Sequence, residues 1–135
     1  MAISQSLRNR AVVIEKYITL AGTAGTNVGV SVPAGTLILA AGVQVLQAVP
    51  DVSVYTADVT DGTTVFANDV SLDAAAAGTI RVGTTAGFIA AADTVDVVTT
   101  ITGSPGAIRA RVFVVAVDTT PSVNEGTEVD RDVLA

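Results

Sequence analysis

The sequence contains no cysteine and no histidine. Without cysteine there is no disulfide framework, no thiolate nucleophile and no sulfur-ligated metal. Without histidine the chain lacks the side chain that most often moves protons near neutral pH and most often binds transition metals. Aromatic residues are also scarce, at 4% with no tryptophan, so few rings are left to line a substrate pocket. Basic residues are few as well: the formal net charge is −6, with acids scattered along the chain, and no basic face is available to neutralise phosphates. The longest apolar stretch, around Leu37 to Leu46, is broken by Gly42 and Gln44 and falls short of the ~20 residues that span a bilayer. No signal-peptide pattern follows Arg8 and Arg10, where Glu15, Lys16 and a threonine-rich run stand instead. The expectation is a soluble protein made in the cytoplasm, not an enzyme, with no cofactor and no nucleic-acid or membrane partner.

What is abundant is valine, alanine, threonine and glycine, in 135 residues that suit one domain. Val12, Ile14, Ile18 and Leu20 recur at period two, with Glu15, Tyr17 and Thr19 on the opposite side and Lys16 as an interruption. Val28, Val30 and Val32 alternate before the turn Pro33-Ala34-Gly35. Thr36 to Leu39 and Val43 to Val49 read as two further strands separated by Ala41-Gly42. Tyr55, Ala57 and Val59 share a face that runs into Asp61-Gly62, the strongest hairpin signal in the chain, and Val65-Phe66 starts the return. Ala74 to Gly78 has helix propensity but is too short to nucleate a helix, so a loop is expected. Thr79 to Val82, Phe88-Ile89, Thr94 to Ile101 and Ile108 to Val117 complete the set. Short strands punctuated by turn residues, with no sustained 3.6-residue period and no repeats, predict an all-β domain. The expected architecture is a single-domain jelly roll or related two-sheet antiparallel β-sandwich over residues 11–118. Residues 1–10 form a polar N-terminal arm and residues 119–135 an acidic C-terminal tail carrying Glu125, Glu128, Asp130 and Asp132.

Three constellations could carry chemistry. Asp58, Asp61, Asp69 and Asp73 surround the hairpin, and clustered carboxylates suit calcium, but their spacing is not that of an EF-hand and Asp61 is explained by the turn. Gly22-Thr23-Ala24-Gly25-Thr26 resembles a phosphate loop only superficially, since no Lys-Ser/Thr ending follows and a strand rather than a helix comes next. Arg109 and Arg111 share one face of the last strand, which Phe113, Val115 and Val117 continue as apolar residues. The opposite face, with Val112, Val114 and Ala116, is apolar too. A strand apolar on both sides is either central between two layers or covered by another subunit. Arg109, Arg111, Phe113 and Val115 are therefore candidate subunit-interface residues, the arginines able to pair with acids on a neighbouring chain or to face solvent.

The segment Thr26 to Gly35, reading T-N-V-G-V-S-V-P-A-G, resembles the opening strand and turn of capsid decoration (cement) proteins of tailed bacteriophages. Val54 to Val59 with Asp61-Gly62, Gly87 to Val95, and Gly106 to Val112 are similar to later strands of that family, so the resemblance covers roughly Ala21 to Val117. It implies a β-sandwich that assembles as a homotrimer on the outer capsid surface, binds the major capsid protein and stabilises the shell against internal DNA pressure. No motif carries individual contact residues across. In the arm, Ile3 and Leu7 are small apolar anchors beside Arg8 and Arg10, and these four residues are candidates for capsid or subunit contact. The alternative is a receptor- or glycan-binding module of a phage fibre or adhesin, which the absence of stalk-like repeats disfavours.

Overall fold

The structure, a computed structural model, describes residues 11–119. The candidate arm residues Ile3, Leu7, Arg8 and Arg10 and the acidic residues of the tail lie outside this range. The described residues form nine strands: β1 (Val12–Leu20), β2 (Gly25–Val32), β3 (Thr36–Val45), β4 (Val54–Thr60), β5 (Val65–Ser71), β6 (Ile80–Gly83), β7 (Gly87–Ile89), β8 (Asp93–Thr102) and β9 (Ile108–Asp118). Among the described residues all strand pairs are antiparallel. One sheet has five strands in the order β1-β9-β3-β6, with β7 also paired to β3, and the other has four in the order β2-β8-β4-β5.

This order has a simple origin. The hydrogen-bonded pairs include β1 with β9, β2 with β8, β3 with β6 and β7, and β4 with β5. The chain is thus one long antiparallel ribbon, folded at the β4–β5 tip and wound so that successive pairs fall in alternate sheets, which is a jelly roll. Strands β6 and β7 share one position along the outer edge of β3, pairing with Ala41 to Gln44 and with Thr36 to Ile38 respectively. The tip is the Asp61-Gly62 turn expected from sequence. Asp61 Oδ1 accepts from the Thr63 and Thr64 amides at 2.8 and 2.6 Å, and Gly62 takes a φ of 93°, which a side chain would disfavour.

Period-two alternation fills the space between the sheets. From the five-stranded sheet come Leu20, Ile38, Ala41, Val43, Val45, Ile108, Ala110, Val112, Val114 and Ala116. From the other come Val30, Val32, Tyr55, Ala57, Val59, Phe66, Ala67, Val95 and Val97. Rows of valine and alanine interdigitate closely without large rings, so the core draws on only two fully buried aromatics, Tyr55 and Phe66. Lys16 falls on the inward side of β1 by register, opposite Val112, yet stays exposed because β1 is an edge strand. A charge in that position discourages a second molecule from pairing with the edge.

Two sequence expectations are corrected by bulges. Thr36 to Leu39 and Val43 to Val49 are not separate strands: β3 runs unbroken from Thr36 to Val45, and the register against β9 shifts between Ile38 and Ala40. The extra residue leaves Leu39 exposed and restores Ala41, Val43 and Val45 to the core. In β2 the register shifts between Asn27 and Val30, so Val28 is exposed rather than aligned with Val30 and Val32. That bulge is held by polar groups: the Gly29 amide donates to Asp96 Oδ1 at 3.0 Å, and Asn27 Nδ2 donates to the Val97 carbonyl at 3.1 Å. Ala74 to Gly78 is a loop, as expected.

The Tyr55 hydroxyl is buried with no hydrogen-bond partner among the described residues, and burial pushes its pKa above the ordinary tyrosine value of 10.0. The folded phenol therefore holds its proton more tightly than the unfolded one. Stability is unaffected by this group below pH 10 and falls as pH rises beyond it. Replacing Tyr55 by Phe removes a hydroxyl that was desolvated without compensation, so urea unfolding at pH 7 should show unchanged or higher stability, by up to ~1 kcal/mol. The variant should also lose less stability above pH 10 than the parent. A loss of more than ~1 kcal/mol at pH 7 would show that the hydroxyl is bonded after all.

Candidate functional site

The two outer faces of the sandwich differ in chemistry. On the four-stranded sheet, cross-strand neighbours are Ser31 with Thr94, Thr56 with Thr100 and Ser71, and Thr60 with Asp96. Its strands carry Asp58, Asp69, Asp93 and Asp96 and no lysine or arginine. Such a surface is an ordinary solvated face.

The five-stranded sheet is different. Register fixes which residues share its outer side: Val13 with Val115, Glu15 with Phe113, Tyr17 with Arg111 and Thr19 with Arg109 across β1 and β9. Across β9 and β3 the neighbours are Ala40 with Val115, Gly42 with Phe113 and Gln44 with Arg111. Ile80 and Val82 on β6 oppose Gln44 and Gly42, and Phe88 on β7 opposes Leu37. The result is an apolar surface spanning all five strands, on which Tyr17 is 65%, Val13 59%, Phe88 56% and Val82 49% exposed. Exposed apolar side chains therefore gather on this outer side.

A polar cluster is set into the middle of it. The Arg111 guanidinium lies 4.7 Å from the centroid of the Phe113 ring, donates through Nε to Gln44 Oε1 at 3.0 Å and forms an ion pair with Glu15. Phe113 itself is mostly covered because its ring occupies the space above Gly42. A Cβ at residue 42 would stand 2.5 Å from the Arg81 carbonyl oxygen and 2.7 Å from Phe113 Cζ, so neither β6 nor the ring leaves room for a side chain there. Arg109 bonds Gln47 Oε1 through its backbone amide and through Nε, both at 3.2 Å, and has no carboxylate partner among the described residues. A shallow groove lined by Tyr17, Ile18, Thr19, Leu46, Arg109 and Ala110 lies beside it.

The structure thus brings together the four interface candidates on β9, Arg109, Arg111, Phe113 and Val115, on one face. Arg111 finds its acid within the chain, from Glu15. Sequence reading missed the residues that make the face continuous: Tyr17, Leu39, Ile80, Val82 and Phe88. Tyr17 lies on the polar side of its own strand, Leu39 sits at the bulge of β3, and Ile80, Val82 and Phe88 lie on the short strands β6 and β7, whose neighbours depend on sheet order. The aspartates around the hairpin do not form a joint site. Asp58 Oδ1 accepts from the Asp69 amide and Asp73 Oδ1 from the Val52 amide, each at 2.7 Å, and Asp61 closes its turn. Among the described residues no three carboxylates converge on one point.

The described chain is therefore a jelly-roll sandwich with one solvated and one apolar outer face. No protein-family model and no curated protein matches the sequence. Solved structures that share its fold include two from phage capsids. One is a chain of the acidic stable capsid structure of Helicobacter pylori bacteriophage KHP30, with a TM-score of 0.54 and 13% identity, covering 79% of this chain and 92% of that chain. The other is a chain of the cyanophage Pam1 capsid asymmetric unit, with a TM-score of 0.59 and 14% identity, covering 81% of this chain and 85% of that one.

Burial and exposure on this face separate residues that hold the fold from residues that only present a surface. Phe113→Ala should lower stability by about 3 kcal/mol, since it empties the space above Gly42 and frees the Arg111 stack. Tyr17→Ala should change it by no more than ~0.5 kcal/mol in urea unfolding of dilute protein. Equal losses from the two substitutions would contradict this division.

Proposed function

We propose that the chain is a structural, non-enzymatic virion protein that binds the outer surface of a phage capsid as a homotrimer and stabilises the shell. The observation that carries the proposal is the likeness in fold to two capsid-structure chains, extending over most of this chain and most of each of those. The apolar outer face of the five-stranded sheet supports it, because a protein that works by assembly needs a surface to assemble through. The described residues bring no three carboxylates together, and Asp58, Asp61 and Asp73 accept from backbone amides.

In this reading the major capsid protein is the partner, and Arg109, Arg111, Phe113 and Val115 contribute to contact between subunits. Ile3, Leu7, Arg8 and Arg10 grip the shell. The described chain begins and ends at one end of the sandwich, since Val12 pairs with Ala116 and the Thr119 amide bonds the Gly35 carbonyl at 2.9 Å. The arm is thus attached beside the end of β9. Three arms per trimer would let contacts that are weak singly sum to firm attachment.

Co-sedimentation with DNA-free shells of the same phage's capsid protein tests the reading. The full chain should bind saturably, in multiples of three copies per site. A chain lacking residues 1–10 should keep its circular dichroism and trimeric mass but bind shells at least tenfold more weakly. Absence of binding at micromolar concentration would overturn the capsid assignment. Unchanged binding by the shortened chain would remove the arm from it.

A further inference from the structure

Resting on the trimeric reading above, we infer that the C-terminal segment, residues 120–135, of each copy lies on the outer face of the five-stranded sheet of the next copy. There its acids meet Arg109 and its aliphatic residues cover part of the apolar surface.

Charge complementarity is the first argument. By register the outer side of the five-stranded sheet carries Arg109 and Arg111 against Glu15, with Lys16 and Arg81 on the inward side, whereas the strands of the four-stranded sheet carry Asp58, Asp69, Asp93 and Asp96 and no cation. Residues 120–135 hold Glu125, Glu128, Asp130 and Asp132 against the single Arg131. An acidic segment is repelled by one face of the sandwich and attracted to the other. Arg109, exposed and without a carboxylate among the described residues, is the natural acceptor.

Spacing is the second. Arg109 and Arg111 stand two residues apart on one side of β9, and Glu128, Asp130 and Asp132 repeat at the same interval. An extended segment places alternate residues on one side with the strand's own repeat of roughly 6.6 Å, so neighbouring acids match neighbouring arginines. Between and beyond them, Val129, Val133 and Leu134 offer apolar atoms to a surface that exposes Tyr17, Ile80 and Val82.

Reach and direction are the third. Thr119 is fastened to the Gly35 carbonyl through its amide and, at 2.6 Å, through Oγ1, so the segment starts from a fixed point at one end of the sheet. Sixteen extended residues reach about 50 Å, more than the roughly 36 Å length of an eleven-residue strand, and so can cross to a neighbour. Folding back over the same subunit would need a tight reversal directly after β9. Pro121 biases Thr120 towards extended backbone, which carries the chain onward from the end of β9. Passing each segment to the next copy closes a three-fold ring in which every subunit gives one segment and receives one.

The test compares three proteins by sedimentation velocity across nanomolar to micromolar concentration: the full chain, a chain ending at Thr119, and Arg109→Glu. Circular dichroism confirms that each is folded. The full chain should be trimeric, and the shortened chain and Arg109→Glu should dissociate at concentrations at least tenfold higher. The loss in Arg109→Glu should be reversed in part by adding Asp130→Arg and Asp132→Arg. Half-molar salt should weaken the full-length trimer more than the shortened one. A shortened chain as tightly trimeric as the full chain would overturn this inference and leave the trimer standing. A full chain that is monomeric throughout would overturn the trimer and the segment exchange together.

Discussion

The register between β9 and β3 is the constraint on which the rest of the structure depends. Strand β9 is central in its sheet, and its two sides do different work: Ile108, Ala110, Val112, Val114 and Ala116 build the core, while Arg109, Arg111, Phe113 and Val115 build the outer face. A slip of one residue would exchange them, burying two arginines and exposing five core residues. Two devices hold the register. The bulge at Leu39 absorbs one residue of β3, and Gly42 leaves the space that the Phe113 ring fills.

Because β9 also pairs with β1, that register is passed across the sheet. It sets Tyr17 beside Arg111 and Glu15 beside Phe113, and so decides that the ion pair of Arg111 is made within the chain. Through β3 it sets Gly42 and Gln44 beside Val82 and Ile80. The outer surface is therefore a product of the same pairings that close the core. Polar and acidic residues gather on the opposite sheet, so the molecule presents two chemically distinct sides.

Much of this was legible in the sequence where the signal is local. Alternation in β1, β4, β8 and β9 is set by neighbouring residues, and Asp61-Gly62 makes its turn from its own side chain and a positive φ. Bulges were not legible. They break the period by one residue for reasons that lie on another strand, as when Asp96 on β8 holds the Gly29 amide on β2 and leaves Val28 outside. The doubly apolar character of β9 pointed to a contact surface, but its extent did not follow. Val82 and Phe88 join the face only because β6 and β7 line up along β3, and sheet order is a long-range property that periodicity does not carry.

The central claim is that the outer side of the five-stranded sheet is a contact surface of an assembled virion protein, and side-chain footprinting by hydroxyl radicals tests it most directly. Labelling would be compared between the protein diluted until its trimer dissociates and the protein bound to shells. Tyr17, Val13 and Phe88, exposed in the isolated chain, are expected to be strongly protected on the particle, while Val28 and Val54 of the other sheet keep their reactivity. Undiminished labelling of Tyr17 and Phe88 on shells carrying the bound protein would contradict the account.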